Sequence, residues 1–175
     1  MPTNRRLVEA GEDFYVTPKL ATIKLLSVEI FEGGIWEPAC GDGAISNVLL
    51  NAGYDVHSTD LYDHSYGQTG VDFLSIYDTP YNIITNPPYS LANDFAKRAI
   101  KITHKKVALL LRIAFLEGQK RYKEIYKNTP PDRIHIFSKR LTMYPKNAER
   151  KGSGTTAYAW FIWDKRNGNT TLKWI

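Results

Sequence analysis

The chain has 175 residues, the size of one domain, and its 43% hydrophobic and 23% charged residues exclude a disordered, collagen-like or coiled-coil protein. Its formal net charge of +5 is distributed unevenly along the sequence. Residues 1–92 contain 4 basic and 12 acidic side chains, a net of −8, whereas residues 93–175 contain 19 basic and 6 acidic side chains, a net of +13. The basic half is either a solvated surface or a surface that attracts polyanions.

Cysteine and histidine usage limits the classes of site. A single cysteine, Cys40, excludes an internal disulfide and favours a reducing cytoplasm. The histidines are scattered without cysteine partners at metal spacing, which argues against structural zinc. The first residues lack an apolar signal region, and no later run approaches the roughly 18 apolar residues of a membrane span. We therefore expect a cytoplasmic single domain, residues 1–175, with no metal and no membrane partner.

The acidic half alternates between helical and extended patterns. Residues 17–31 predict a helix in which Thr17 caps the first turn and Pro18 occupies the first helical position. Its predicted buried stripe is Leu20, Ile23, Leu26 and Ile30. The following elements are predicted as a strand at 35–36, a helix through 45–50 that ends at Gly53, a strand at 54–59, a polar turn region at 62–70, a short strand at 71–74 and a buried strand at 81–85.

The basic half continues the alternation. Its predicted elements are an amphipathic helix at 90–103, a strand at 107–111, a basic helix at 119–128, strands at 134–137 and 156–163 that pair with each other, a basic loop at 144–154 and a tail strand at 172–175. The whole pattern predicts an α/β protein with a three-layer architecture and a sheet of about seven strands.

Three motifs in the acidic half stand where open α/β sheets bind ligands, after strands. Residues 37–43, EPACGDG, form a glycine-rich turn between a strand and a helix, without the spacing of a phosphate or dinucleotide loop. Asp60 ends the next strand, and a carboxylate there can accept hydrogen bonds from two adjacent ribose hydroxyls. Asp72 and Phe73 add a second carboxylate and an aromatic face.

Residues 86–89, Asn-Pro-Pro-Tyr, are the most specific motif. Two successive prolines end a strand and stiffen the turn after it. The side-chain carbonyl of Asn86 and the backbone carbonyl of Pro87 are then available to accept hydrogen bonds from one NH2 group, while Tyr89 offers a stacking face. The alternative is a turn that only terminates the strand.

Taken in order, Thr17-Pro18, residues 37–43, Asp60, Asp72-Phe73 and residues 86–89 resemble the motifs of the S-adenosylmethionine-dependent DNA adenine-N6 methyltransferases. The order is similar to their gamma-type arrangement, and the small enzymes encoded by bacteriophages and prophages are the nearest likeness. The resemblance covers residues 13–89 and, more loosely, the strands up to residue 163. It implies a Rossmann-like methyltransferase fold with a seven-stranded mixed sheet.

The same resemblance implies a cofactor site for S-adenosylmethionine. Thr17 and Pro18 then lie against the methionine part and Glu37 beneath its amino group, while Asp60 holds the ribose and Asp72 and Phe73 contact the adenine. The remaining residues implied to line the cofactor are Pro38, Ala39, Gly41, Gly43 and Asn86.

For the target base, the resemblance implies that Asn86 and Pro87 hold the amino group and that Tyr89 stacks on the ring. A second flanking aromatic is expected from a later strand, with Phe137 as the candidate and Trp160 or Phe161 as alternatives. Transfer is then direct, after the base is flipped out of the duplex. Cys40 lies in the glycine turn without an adjacent base, so a covalent cytosine mechanism is disfavoured.

DNA is the expected partner, held by basic residues around the base entrance. The candidates are Arg112, at the end of a strand, and Arg121, Arg140, Lys146, Arg150 and Lys151. We expect no separate target-recognition domain, so sequence specificity is short, relaxed or supplied by a second subunit of an oligomer. The alternatives are methylation of RNA adenine or of a protein glutamine, and an inactive nucleic-acid-binding module.

Overall fold

The computed structural model describes residues 14–78, 80–145, 156–164 and 169–175. The helices among them are α1 (Lys19–Leu26), α2 (Ala44–Asn51), α3 (Ala92–Ile102) and the short α4 (Gln119–Arg121), which continues as a π-helical turn over Tyr122–Tyr126. The strands are β1 (Tyr15–Val16), β2 (Ile35–Glu37), β3 (Val56–Ser58), β4 (Asn82–Thr85), β5 (Val107–Arg112), β6 (Arg133–Ile136), β7 (Tyr144–Pro145), β8 (Tyr158–Trp163) and β9 (Thr171–Trp174).

Seven of these strands form one mixed sheet in the order β3-β2-β4-β5-β8-β6-β9. Strands β3, β2, β4 and β5 pair in parallel, β8 is antiparallel to both β5 and β6, and β9 pairs in parallel with β6 at the edge. The predicted seven-stranded mixed sheet and the pairing of the strands at 134–137 and 156–163 are confirmed. Strands β1 and β7 form a separate antiparallel ribbon.

The core lies on both faces of the sheet, as the alternation of side chains along a strand requires. In β5, Val107, Leu109 and Leu111 face a cluster that includes the buried side of α3, whereas Ala108 and Leu110 face a cluster that includes residues of α1 and α2. Because both faces of β5 are covered by helices, its sequence is a continuous apolar run. The predicted three-layer architecture is confirmed.

Helix α1 buries a different face from the predicted one. Of the predicted stripe, Leu20 is 48% exposed and Ile23 is 52% exposed, and Ile30 lies beyond the helix end. The buried residues are Ala21, Thr22 and Leu25. The side-chain N–H of Trp160 in β8 donates to the carbonyl of Ala21 at 2.9 Å, so a small residue must face the sheet there. Close approach and a hydrogen bond, rather than the count of apolar side chains, select the buried face.

Residues 71–74 do not form the predicted strand. A 3-10 turn spans Phe73–Ser75, and the carboxylate of Asp72 caps it by accepting from the backbone N–H of Leu74 at 3.0 Å and from the hydroxyl of Ser75 at 2.7 Å. An aspartate that bonds its own following backbone competes with strand pairing. The alternation of apolar residues alone did not show this competition.

A buried ion cluster lies at the end of the sheet where β5 and β6 begin. Glu29 is 4% exposed, and its carboxylate accepts from Lys106 at 2.9 Å, from Arg133 at 2.6 and 3.0 Å, and meets Nε2 of His135 at 2.8 Å. Burial alone raises the pKa of Glu29, but the hydrogen bonds from His135, Arg133 and Lys106 outweigh it and lower the pKa far below the ordinary 4.5. The ionised form of Glu29 therefore stabilises the folded chain.

We expect Glu29→Gln to lower the free energy of unfolding by about 3 kcal/mol at neutral pH, because it removes the charge that three basic side chains share. A folded-state pKa below the unfolded value stabilises the protein above about pH 4.5, and this stabilisation is lost as the pH falls further. Urea unfolding of wild type and Glu29→Gln, above and below about pH 4.5, measures the difference between their free energies of unfolding. This difference should become smaller as the pH falls. Glu32→Gln, at a side chain 81% exposed, is the control and should change little. A gap that does not vary with pH would contradict the assignment.

Candidate active site

An open cavity lies at the carboxyl ends of β2, β3 and β4. It is lined by residues from each segment that follows these strands and by the segment that precedes α1. The predicted site residues among its lining are Thr17, Glu37, Pro38, Ala39, Asp60, Asp72, Phe73, Asn86, Pro87 and Tyr89. The structure thus brings together motifs that are up to 72 residues apart in the sequence, from Thr17 to Tyr89.

The glycine turn between β2 and α2 lies on one side of the cavity. A Cβ added at Gly41 would overlap the ring of Phe14, and one added at Gly43 would overlap the ring of Tyr66. The two glycines therefore allow aromatic rings to pack on the turn, and they are not part of the cavity lining that we predicted for them. Pro18 also lies outside the lining, as the residue that precedes the first turn of α1.

Asp60 ties the glycine turn to the end of β3. Its carboxylate is 7% exposed and accepts from the backbone N–H of Gly41 and of Tyr62, both at 2.9 Å. Nε2 of His64 lies 3.9 Å from the same carboxylate, and the His64 ring stacks on Phe14 with ring centroids 4.3 Å apart. Each oxygen of Asp60 keeps a lone pair that can accept a further hydrogen bond.

Phe14, Tyr62 and His64 line the cavity, although the sequence analysis did not select them. The last two belong to the segment at 62–70, which we interpreted only as a polar turn. This segment folds back on β3, because the backbone N–H of Gln68 donates to Ser58 and that of Asp60 donates to Gln68, each at 2.9 Å. The aromatic and imidazole side chains in a segment otherwise rich in glycine and serine are the signal that could have indicated a site.

Glu37 is the most deeply buried acidic group of the cavity, at 1% exposed. Burial raises the pKa of Glu37 well above its ordinary value, the hydrogen bond from Ser46 opposes the shift, and the neighbouring charges of Asp60 and Asp42 raise the pKa further. All three acidic side chains line the cavity. The arrangement favours a positively charged ligand group, which would stabilise the ionised form of Glu37.

The diproline turn follows β4, and its Asn86 has one amide end bound and the other free. Nδ2 of Asn86 donates to Oγ1 of Thr17 at 3.0 Å and lies 3.7 Å from the sulfur of Met143, whereas Oδ1 is buried with no hydrogen-bond partner among the described residues. The predicted cap by Thr17 is wrong, because α1 has no side-chain cap and this hydroxyl binds Asn86 instead. A buried acceptor without a partner is costly and indicates a place for a donor.

Tyr89 is enclosed by aromatic and cationic groups. Its ring centroid lies 5.3 Å from that of Tyr15 and 5.8 Å from that of Tyr158, and the guanidinium of Arg112 lies 4.4 Å from the ring centroid. The Tyr89 hydroxyl donates to the sulfur of Met143 at 3.0 Å. Burial raises the pKa of Tyr89 strongly, so the phenol is neutral and its ring serves as a surface rather than as a base.

The predicted second flanking aromatic is in the core. Phe137 is 9% exposed and packs in the cluster on the α1 and α2 face, Trp160 is fully buried there with its N–H bonded to Ala21, and Phe161 is fully buried on the opposite face. None of the three lines the cavity. The aromatic neighbours of Tyr89 in the Asn-Pro-Pro-Tyr turn are instead Tyr15 and Tyr158.

The predicted basic residues have different surroundings. Arg112 is exposed at the end of β5, beside Tyr89. Nη1 of Arg121 donates to the carbonyls of Ala114, Phe115 and Glu117 at 2.5 to 3.2 Å, so this side chain closes the turn after β5. Arg140 is exposed between β6 and β7. Lys146, Arg150 and Lys151 lie outside the described residues.

Within the described ranges, every helix is too short or too polar to span a bilayer. The same residues contain no group of three or more histidine, cysteine, aspartate and glutamate side chains that could hold a metal ion.

The chain was compared with known proteins at three levels. No protein-family model matches it, and no curated protein matches its sequence. Solved structures do match. A proposed class I S-adenosylmethionine-dependent methyltransferase from Listeria monocytogenes has a TM-score of 0.62 and 14% identity, over 96% of this chain and 67% of that one. The chain has the Rossmann-like methyltransferase fold.

Two other solved structures have the same fold. A proposed RNA methyltransferase from Pyrococcus horikoshii has a TM-score of 0.67 and 15% identity, over 92% of this chain and 90% of that one. A modification subunit of a proposed type I restriction enzyme from Vibrio vulnificus has a TM-score of 0.64 and 12% identity, over 92% of this chain. This chain spans 46% of that subunit. At these identities the likeness is one of fold.

Gly67 offers a test of how the segment at 62–70 closes the side of the cavity. A Cβ added there would lie 2.7 Å from the backbone oxygen of Ser58 and 2.8 Å from the sulfur of Cys40, at a φ of +68°. Gly70, at a φ of +75°, has open space around it. We expect Gly67→Ala to lower the free energy of unfolding by about 1 to 3 kcal/mol more than Gly70→Ala, because only the first variant adds a backbone clash to the strain of a positive φ. Thermal and urea unfolding measure both variants, and equal effects would show that the segment does not pack on β3.

Proposed function

We propose that the protein transfers a methyl group from S-adenosylmethionine to the exocyclic amino group of adenine in DNA. The observation that carries the proposal is the buried, unpartnered Oδ1 of Asn86 in the wall of a cavity that also holds the acidic cluster of Glu37. An amine substrate would supply a donor to Oδ1 of Asn86. A cationic cofactor would supply a positive charge to the carboxyl group of Glu37.

The cofactor part of the proposal rests on the fit between the cavity and the molecule. Glu37 would hold the positively charged amino group, Asp60 the ribose hydroxyls, and Asp72 with Phe73 the adenine. S-adenosylmethionine supplies a methyl group carried on a positively charged sulfur. The negative charges of the cavity match that molecule, and the solved structure from Listeria monocytogenes shares the fold and is named for the same cofactor.

The target part of the proposal rests on the diproline turn. An exocyclic amine of adenine has its lone pair delocalised into the ring and is a poor nucleophile. Asn86 Oδ1 and the Pro87 carbonyl would accept its two hydrogens, hold the nitrogen in position and favour the geometry in which the lone pair can react. The neutral ring of Tyr89 would stack on the base and offset a few kcal/mol of the cost of flipping it. The proton released by the amine would pass to solvent.

DNA is favoured as the polymer by the charge of residues 93–175 and by the position of Arg112 beside Tyr89. The restriction-modification subunit that shares the fold is consistent with this choice. RNA adenine is the second candidate, because the RNA methyltransferase from Pyrococcus horikoshii shares the fold over 92% of this chain. A radioactive methyl donor offered with double-stranded DNA, single-stranded DNA, RNA and protein distinguishes these substrates, and digestion to nucleosides identifies the methylated base.

We expect Asn86→Ala to reduce methyl transfer by about 100- to 1,000-fold, the range found when one preorganised hydrogen-bonding group is removed from an active site. Cofactor affinity, measured by calorimetry, should change little. Asn51→Ala, at an exposed residue of α2, is the matched control and should retain wild-type activity. Full activity of Asn86→Ala would remove the basis of the proposal.

Glu37 predicts a pH dependence of cofactor binding. Because its pKa is raised in the free protein and a cationic amino group would favour its ionised form, binding should release a proton and become tighter as the pH rises. Glu37→Gln lacks the ionisable carboxyl group. Its affinity for the cofactor should therefore be lower than that of wild type by about 10- to 100-fold near pH 8, as expected for a lost charge-assisted hydrogen bond.

Calorimetry between about pH 6 and 8 measures the effect as the difference between wild type and Glu37→Gln, since the amino group of the cofactor itself titrates in both. Glu32→Gln serves as the control, because this exposed residue does not line the cavity. Parallel pH profiles of wild type and Glu37→Gln would show that Glu37 does not meet the cationic group.

A further inference from the structure

The amide of Asn86 is held by two residues that flank the site from distant parts of the sequence. Its Nδ2 group lies 3.0 Å from Thr17 Oγ1 and 3.7 Å from the Met143 sulfur, and the Asn86 side chain also donates to the oxygen of the Tyr89 hydroxyl, whose own hydrogen is directed to Met143. The other end of the amide, Oδ1, is buried and has no hydrogen-bond partner in the part of the chain that the structure describes. The orientation of this amide decides whether an acceptor or a donor faces an incoming amine.

The chemistry of the two partners determines this orientation. A threonine hydroxyl can accept or donate, so Thr17 alone would tolerate either orientation of the amide. A thioether sulfur has no hydrogen to donate and is a weak acceptor, so Met143 favours the NH2 end. If the amide turned over, Oδ1 would face the sulfur without a donor, and the NH2 group would face the position of the substrate amine.

The same sulfur also binds Tyr89. Met143 accepts from the Tyr89 hydroxyl at 3.0 Å, so one side chain contacts both of the polar groups that the diproline turn presents. Met143 immediately precedes β7, and Thr17 immediately follows β1. Strands β1 and β7 pair with Val16 opposite Tyr144, so the ribbon delivers both residues to the turn together.

We propose that Thr17 and Met143 are positioning residues for the reaction, which hold the Asn86 amide with Oδ1 directed to the substrate amine. This inference rests on the proposed function and assigns the ribbon of β1 and β7 a role in it. It differs from the sequence-based expectation for Thr17, in which this residue caps the first turn of the helix and contacts the cofactor. Met143 does not line the cavity, so an effect of its substitution on catalysis cannot arise from lost contact with the cofactor.

Steady-state kinetics with the polymer that wild type methylates provides the first test. Thr17→Val keeps the shape of the side chain and removes the hydroxyl, and Met143→Leu removes the sulfur acceptor at similar volume. We expect each to lower kcat by about 10-fold or more with a smaller change in KM, because misorientation affects the reacting geometry more than binding. Thr17→Ser should restore most of kcat, since it restores the acceptor.

Thr22→Val is the matched control. Thr22 is a fully buried threonine of α1 whose hydroxyl has no hydrogen-bond partner among the described residues, so its loss should leave kcat unchanged. Because Met143 also binds Tyr89, Met143→Leu is compared in the wild-type and Tyr89→Phe backgrounds. A decrease in kcat that persists in Tyr89→Phe supports action through Asn86, and a decrease that disappears there contradicts it.

A second test does not need a substrate. The side-chain NH2 protons of Asn86, assigned by their loss in Asn86→Ala, should exchange with solvent deuterium at least about 10-fold faster in Thr17→Val and Met143→Leu than in wild type, because each variant removes an acceptor. Unchanged exchange would overturn the positioning role even if methyl transfer occurs. If exchange is faster in the two variants but the wild-type protein methylates no polymer, the assigned role of Thr17 and Met143 in holding the amide stands and the proposed function is rejected. A loss of cofactor affinity in Thr17→Val that accounts for its whole kinetic defect, with Met143→Leu unaffected, would also overturn the proposal.

Discussion

The structure depends on the parallel pairing of β3, β2, β4 and β5, which places the carboxyl ends of four strands at one edge of the sheet. Parallel strands must be joined by long crossovers, so residues far apart in sequence meet at that edge. Glu37 ends β2 and Arg112 ends β5, Asn86 directly follows β4, and Asp60 lies two residues beyond the end of β3. The chemistry of the site is therefore assembled by backbone hydrogen bonds that involve none of its side chains.

Two buried glutamates at opposite ends of the strands have different charged neighbours. Glu29 is surrounded by Lys106, Arg133 and His135, so its ionised form is satisfied within the chain and contributes to stability. Glu37 is buried to a similar extent, but the charges that act on it are those of other carboxylates. The first arrangement is complete in itself, whereas a cationic ligand group would complete the second. This contrast is the reason that Glu37 and not Glu29 is assigned to ligand binding.

The polar turn after β4 illustrates the same principle with neutral groups. The Asn86 amide has acceptors for its donor end and none for its acceptor end, and the ring of Tyr89 is neutral and enclosed. A protein whose only requirement was stability would be expected to pair such a buried oxygen. The unsatisfied group is retained beside a cavity, where a bound substrate can supply the missing donor.

Much of this was predictable because some patterns depend only on neighbours in sequence. The apolar run of β5, the amphipathic α3, the glycine turn and the diproline turn predicted the alternating elements, the sheet and the residues of its carboxyl edge. The likeness of the motif set to known methyltransferases added the expected fold, which the solved structures share. Each of these features is encoded within a window of a few residues.

Other features depended on contacts between distant segments. Helix α1 buries Ala21, whose carbonyl accepts from the side-chain N–H of Trp160 in β8, 139 residues away. Tyr15 and Met143 reach Tyr89 because β1 and β7 pair across 128 residues, from Val16 to Tyr144, whereas Tyr158 reaches it as the first residue of β8. The sequence by itself determined most helices and strands of the main sheet and the motifs that end them, since local periodicity and turn chemistry suffice for that, but it did not determine the ribbon of β1 and β7 or the turn at Phe73–Ser75. Only the tertiary structure decided which aromatic residues enclose Tyr89 and which end of the Asn86 amide is free. Both features follow from packing between distant segments, and the local sequence of a segment does not show which other segment it packs against.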